Sequence, residues 1–125
     1  NFLGHIREYH QINNGEAPHF KLERRQFLNL DVGLGAVPRV ADLNNDSFPD
    51  LIIGSDRGRL INFQPKTEEK AVNAMEWKLK EGYFDKLKLP VGGAPVFEDM
   101  DFDGDLDMVI GTEKGTLVYF RNTGR

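Results

Sequence analysis

The sequence predicts an all-β protein built from a repeated antiparallel unit, on three observations. Its apolar runs are short, alternate or end at glycine, and are separated by turn-forming residues. An acidic stretch, Asp42-Leu43-Asn44-Asn45-Asp46-Ser47-Phe48-Pro49-Asp50, returns as Asp99-Met100-Asp101-Phe102-Asp103-Gly104-Asp105-Leu106-Asp107 at an offset of 57 residues. The likeness also extends to both sides of that stretch, so a complete structural unit repeats rather than a motif alone.

Downstream of the acidic stretch, Ile53-Gly54 meets Ile110-Gly111, Gly58 meets Gly115, Leu60 meets Leu117 and Phe63 meets Phe120. Upstream, Ala17, Lys21, Leu22, Phe27, Leu30, Gly35 and Pro38 fall on Ala74, Lys78, Leu79, Phe84, Leu87, Gly92 and Pro95, and Phe20 falls on Trp77.

Taken in order, residues 4–12 read as the third strand of a preceding unit, with Ile6 and Tyr9 placed like Leu60 and Phe63 after Gly58. Phe20 and Leu22 mark its fourth strand. Val37 to Ala41 and Ala94 to Glu98 lead into the acidic loops, and Leu51-Ile52-Ile53 and Met108-Val109-Ile110 leave them as apolar runs ending at glycine. Asp56-Arg57-Gly58 and Glu113-Lys114-Gly115 read as tight hairpin turns, with glycine supplying the unusual backbone angle. Strands over residues 59–64 and 116–121 follow. Residues 66–80 contain good helix formers, and propensity alone predicts a helix there. The repeat predicts a strand from about Met75 instead, because Met75, Trp77 and Leu79 alternate and align with the Phe20 region, with a polar loop before it that holds at most a helical turn. The chain divides into residues 1–35, the end of one unit; 36–92, a complete repeat; and 93–125, the start of the next.

Four strands in 57 residues is the size of one propeller blade, somewhat longer than the roughly 40–50 residues of the commonest propeller repeats. The expected fold is therefore all-β, in β-propeller blades of four antiparallel strands. A chain of 125 residues holds about two of them, whereas closed propellers need roughly four to eight. Blades bury their faces against neighbours, so the expectation is part of a larger propeller or one completed by other chains.

Composition agrees with a packed domain: 39% of residues are hydrophobic and 10% aromatic. The formal charge of -4, with Lys and Arg scattered, argues against nucleic-acid binding, which requires a basic face, and against anionic membranes. No apolar run approaches the length of a membrane span, no leader pattern follows Asn1, and a first residue other than Met suggests a processed chain or a piece of a longer one. The absence of cysteine removes disulfides, thiolate metal sites and cysteine nucleophiles.

Numbered from its first aspartate, each acidic loop carries side-chain oxygens at positions one, three, five and nine. These are Asp42, Asn44, Asp46 and Asp50, and Asp99, Asp101, Asp103 and Asp107. Like charges this close repel unless a cation sits among them, and Ca²⁺ takes about six to eight oxygens from short acidic loops. Position seven, Phe48 or Asp105, is expected to give a backbone carbonyl. An EF-hand needs a glutamate at position twelve, which here is Ile53 or Ile110 inside an apolar run, so the loop must close on position nine. Two Ca²⁺ sites are expected, an all-oxygen set being poorly suited to Zn²⁺ or Cu²⁺. Loop two is expected to bind more tightly, having four carboxylates and Gly104 at the sharp sixth position, where loop one has Asn44 and Ser47. Two Ca²⁺ ions would bring the formal charge from -4 to about zero.

The pattern Pro-x-x-x-Asp-x-Asn/Asp-x-Asp-x-x-x-Asp-hydrophobic-x-Ile-Gly resembles the FG-GAP or VCBS-type repeat of integrin alpha-chain propellers and bacterial surface proteins. The resemblance covers nearly the whole chain and implies a propeller whose acidic hairpin loops bind Ca²⁺. Integrin blades carry Gly-Ala-Pro after the second strand, where this chain has Gly54-Ser55-Asp56 and Gly111-Thr112-Glu113, so the likeness is closer to the bacterial form and integrin ligand binding does not carry over. The implied role is non-enzymatic: adhesion, protein or carbohydrate binding, or assembly with other blades in an extracellular, cell-surface or periplasmic setting. The competing class is an extracellular propeller enzyme such as a polysaccharide lyase, but no Lys, Arg and His cluster stands out. His5, His10 and His19 lack metal or triad spacing. The ion is expected to be structural, and Trp77 with Phe20, and Phe63 with Phe120, to be core.

Overall fold

The computed structural model describes residues 5–13, 15, 17–25, 27–66, 77–82 and 84–124. Among the described residues nine strands form three antiparallel sheets, with a single 3-10 turn at Phe27–Asn29. The fold is all-β, as the short alternating runs predict, and the sheets do not close on one another among the described residues. The first sheet is a hairpin of β1 (Glu8–Asn13) and β2 (Pro18–Arg24). The second is a meander of β3 (Val37–Ala41), β4 (Asp50–Gly54), β5 (Leu60–Pro65) and β6 (Trp77–Lys80). The third repeats its first three strands as β7 (Ala94–Glu98), β8 (Asp107–Gly111) and β9 (Leu117–Phe120).

Residues 77–80 are a strand despite their helix-forming neighbours, because Trp77 and Leu79 pair across β5 with Pro65 and Phe63. Tertiary pairing outweighs local propensity there. Met75 and the polar segment before it lie outside the described residues, as does Gly4. The same pairing occurs in the first hairpin, where Tyr9 faces Leu22 and Gln11 faces Phe20, as Phe63 faces Leu79 and Pro65 faces Trp77. The placement of Tyr9 like Phe63 is thus visible in the register, although β1 starts at Glu8 rather than at residue 4.

The pleat sends alternate residues to opposite faces. On one face of the second sheet Leu51 pairs with Phe63 and Ile53 with Ile61. This face builds the main core with Val32, packed by Phe27, Leu30, Ile6 and Trp77. The 3-10 turn therefore exists to carry Phe27 and Leu30 inward. Its counterpart lies 57 residues on: the Leu87 amide donates to Phe84 O at 3.0 Å, as Leu30 does to Phe27 O at 3.5 Å. Phe84 then packs against Phe97, ring centroids 6.4 Å apart, over the buried Met108 and Ile110.

Adjacent units meet through backbone. β3 and β7 lie side by side, and Arg39 Nε donates to Pro95 O at 2.9 Å. The Gly92 amide donates to Asp56 O at 3.2 Å, tying the turn after β4 to the segment before β7. Gly54 makes this approach possible, since a Cβ there would fall on the carbonyl oxygen of Gly93. Gly111 occupies the same place in the next unit, where a Cβ would meet only Leu117 Cδ2 at 4.0 Å. Gly54→Ala is expected to destabilise the fold by roughly 2–3 kcal/mol through backbone overpacking. Gly111→Ala should stay within about 0.5 kcal/mol, and urea denaturation of the two variants side by side checks the difference.

Candidate metal centre

Each acidic loop links the first two strands of its sheet, and each is folded by the same atoms. Asp42 accepts from two successive amides, Asp46 N to Oδ1 at 3.1 Å and Ser47 N to Oδ2 at 2.8 Å. Asp99 does so with Asp103 N at 3.2 Å and Gly104 N at 3.0 Å. Position five then accepts from position seven, as Phe48 N to Asp46 Oδ1 and Asp105 N to Asp103 Oδ1, at 2.8 and 3.0 Å. Position nine accepts from position two, as Leu43 N to Asp50 Oδ2 and Met100 N to Asp107 Oδ2, both at 3.2 Å. Short acidic side chains bonding nearby amides are what fold such turns. Positions four and six take left-handed backbone in both copies: Asn45 and Ser47 (φ 56° and 70°), Phe102 and Gly104 (61° and 96°). Gly104 adopts that region freely, and Ser47 does so at a steric cost.

Three of the residues expected as ligands, all in loop two, come together. The carboxylates of Asp99, Asp101 and Asp103 offer oxygens within 4.8 Å of one another. In loop one Asn44 joins the set through Asp46, receiving the Asp46 amide on Oδ1 at 3.2 Å and donating Nδ2 to Asp46 Oδ2 at 2.8 Å. The loops also touch: Asn45 Nδ2 donates to Asp105 Oδ1 at 3.1 Å and to Gly104 O at 3.4 Å. Position nine is buried in both loops, with Asp50 and Asp107 at 0% and 1% exposure.

Here the copies diverge. Asp107 has side-chain and main-chain donors on both oxygens: the Tyr119 hydroxyl donates to Oδ2 at 2.7 Å and the Asn122 amide to Oδ1 at 2.7 Å. The Tyr119 bond, ahead of the backbone donors, holds the Asp107 carboxyl below its usual range. Asn62 stands where Tyr119 does, and its Nδ2 and Oδ1 have no hydrogen-bond partner. Asp50 Oδ1 is likewise buried without one, and burial pushes the Asp50 carboxyl up against the lowering pull of the Leu43 amide and the Gln64 side chain, with the negative charge of Asp46 adding to the rise. A buried carboxylate oxygen left without a donor fits a cation.

A second divergence lies further along the same strands. Arg121 Nε pairs with Asp101 Oδ2 and its Nη2 lies 3.6 Å from Asp103 Oδ2. In loop one the matching residue is the neutral Gln64, which sits beside Asp50. Loop two thus carries its own counter-charge. Reading the acidic stretches alone misses Tyr119, Arg121, Asn62 and Gln64. The signal is present in the sequence, since extending the 57-residue offset around Phe63 and Phe120 aligns these pairs. The three histidines take no part; His10 Nε2 contacts Glu8 Oε1 at 2.9 Å on the surface.

No family model matches this chain, and no curated protein or solved structure matches it.

The divergence gives two expected outcomes. Were loop two to hold Ca²⁺, replacing the guanidinium as Arg121→Gln would tighten that binding by roughly five-fold, the equivalent of about 1 kcal/mol for an exposed ion pair; calorimetry reads it. The Tyr119 hydroxyl, pushed up to about 12 by its bond to Asp107, should ionise last in a metal-free spectrophotometric titration. Because its folded value lies above the ordinary one, this contribution to stability is whole below pH 10 and lost as pH rises through about 12. Asp107→Asn should bring that titration back toward the ordinary value.

Proposed function

We propose that this chain is a Ca²⁺-binding segment of β-propeller blades that acts without catalysis, in adhesion, ligand binding or assembly at a cell surface. One observation carries the reading: two loops 57 residues apart, differing at several positions, use the same atoms for the same four hydrogen bonds. A solvated acidic turn has no need of that agreement. An ion-binding loop does, because its oxygens must converge on one point.

Asp42, Asn44, Asp46 and Asp50, with the Phe48 carbonyl, would hold one Ca²⁺. Asp99, Asp101, Asp103 and Asp107, with the Asp105 carbonyl, would hold the other. The ion supplies positive charge among crowded carboxylates and cross-links the ends of two strands, a structural role. The closing of each loop on its own ligands supports that role over a catalytic one. Millimolar Ca²⁺ outside the cell suits extracellular sites of this class. The four-stranded meander beside a sheet repeating its first three strands, stacked through β3 and β7, supports the blade reading.

Calorimetry with Ca²⁺ is expected to give two sites. Asp103→Ala should leave one, and Asp46→Ala should remove the other. Unchanged stoichiometry in both variants would sink the metal assignment. Thermal unfolding should shift upward with Ca²⁺ concentration in the unaltered chain.

A further inference from the structure

The end of β9 brings donors of three kinds to loop two. The Tyr119 hydroxyl and the Asn122 amide reach the two oxygens of Asp107, both at 2.7 Å, and the Arg121 guanidinium lies against Asp101 and Asp103. Asn122 adds a side-chain bond, its Nδ2 donating to Leu106 O at 3.3 Å. At the end of β5 the matching residues are Asn62, Gln64 and Pro65. None of them replaces what is lost. A proline has no amide hydrogen to give, and Oδ1 of Asp50, the oxygen that Asn122 serves in the other copy, is buried without a partner. Asn62 is shorter than a tyrosine and is buried at 1% exposure, with both polar atoms of its side chain unpartnered. Gln64 sits beside Asp50 but carries no charge. Asp50 thus keeps the Leu43 amide on Oδ2, at 3.2 Å, and the Gln64 side chain. A buried carboxylate oxygen without a donor is costly, and a cation relieves that cost.

We infer that the end of the third strand sets how strongly each acidic loop holds a cation. Asn62, Gln64 and Pro65 leave Asp50 Oδ1 to the ion at loop one, whereas Tyr119, Arg121 and Asn122 supply protein donors to the carboxylates of loop two. The inference rests on the Ca²⁺ reading proposed above, and it adds determinants that lie outside both acidic stretches. Its physical basis is competition for the same negative charge. A carboxylate that already accepts a phenol and an amide has less charge to offer an ion, and a guanidinium among the ligands repels one. At loop one nothing of that kind stands between Asp50 Oδ1 and a cation.

Calorimetric Ca²⁺ titrations of the full chain read each site alone when the other is silenced, by Asp103→Ala to isolate loop one or by Asp46→Ala to isolate loop two. Pro65→Asn, which restores a main-chain amide, is expected to weaken binding at loop one by roughly three- to ten-fold. Gln64→Arg should weaken it by roughly five-fold, and Gln64→Glu should tighten it. A packing defect does not give opposite signs at one position. Tyr119→Phe, which removes only a hydroxyl, should tighten binding at loop two by roughly three- to ten-fold. Where Pro65→Asn does not fold, the two Gln64 variants decide. Affinities unmoved by these substitutions, or Gln64→Arg and Gln64→Glu shifting the same way, would overturn the inference and leave the Ca²⁺ reading standing. No heat from either loop of the unaltered chain would remove both.

Discussion

A single carboxylate at the start of each acidic loop, Asp42 or Asp99, accepts two consecutive backbone amides, and the placement of every later loop residue depends on it. Those bonds force the backbone into left-handed conformations at positions four and six. They also turn positions three and five back toward position one. The crowding of negative charge is therefore a consequence of a loop held by its own hydrogen bonds. The proposed ion would have little chain ordering left to impose on such a loop, which would lower the entropic cost of binding.

The two copies resolve the same electrostatic problem in different ways. Loop two spreads the burden over protein donors: Tyr119 and Asn122 satisfy Asp107, and Arg121 spans Asp101 and Asp103. Loop one has neither the phenol nor the guanidinium, and leaves Asp50 Oδ1 and both polar atoms of Asn62 buried without partners. For the ions proposed here, four carboxylates and a glycine would favour loop two, while its built-in counter-charge would oppose it, so that ligand count alone would overstate the gap between the two loops.

Periodicity and the 57-residue offset place most strands within a residue or two, because each strand is a short apolar run delimited by glycine or by a loop that announces itself chemically. β4 and β8 are legible in Leu51-Ile52-Ile53 and Met108-Val109-Ile110, and the position of both acidic loops between their strands is legible from spacing. Less legible is what the loops touch across the sheet. Tyr119 and Arg121 belong to the end of the third strand of their unit, far along the chain from the loop carboxylates, and only register brings them to the site. The start of β1 is hard to read for a related reason: its pairing with β2 is fixed by Tyr9 and Leu22, whereas residues 4–7 carry no alternation that distinguishes strand from coil.

Identical residues in this repeat also answer to different neighbours. Gly54 and Gly111 are the same letter at the same place, yet one lies against the backbone of Gly93 and the other faces open space. Phe63 and Phe120 match equally well, yet one is sealed under Trp77 and the other borders a cleft. A repeated sequence specifies the surface each unit presents, while burial depends on the neighbour stacked against it. The face of the third sheet bearing Val96, Leu117 and Tyr119, between 48% and 76% exposed, expresses the same rule. On its counterpart in the second sheet Ile52 and Asn62 are buried, and Arg39 and Leu60 are partly so. The stacking of one unit on the next is therefore a property written into both faces of each sheet, and the third sheet presents it without a described neighbour.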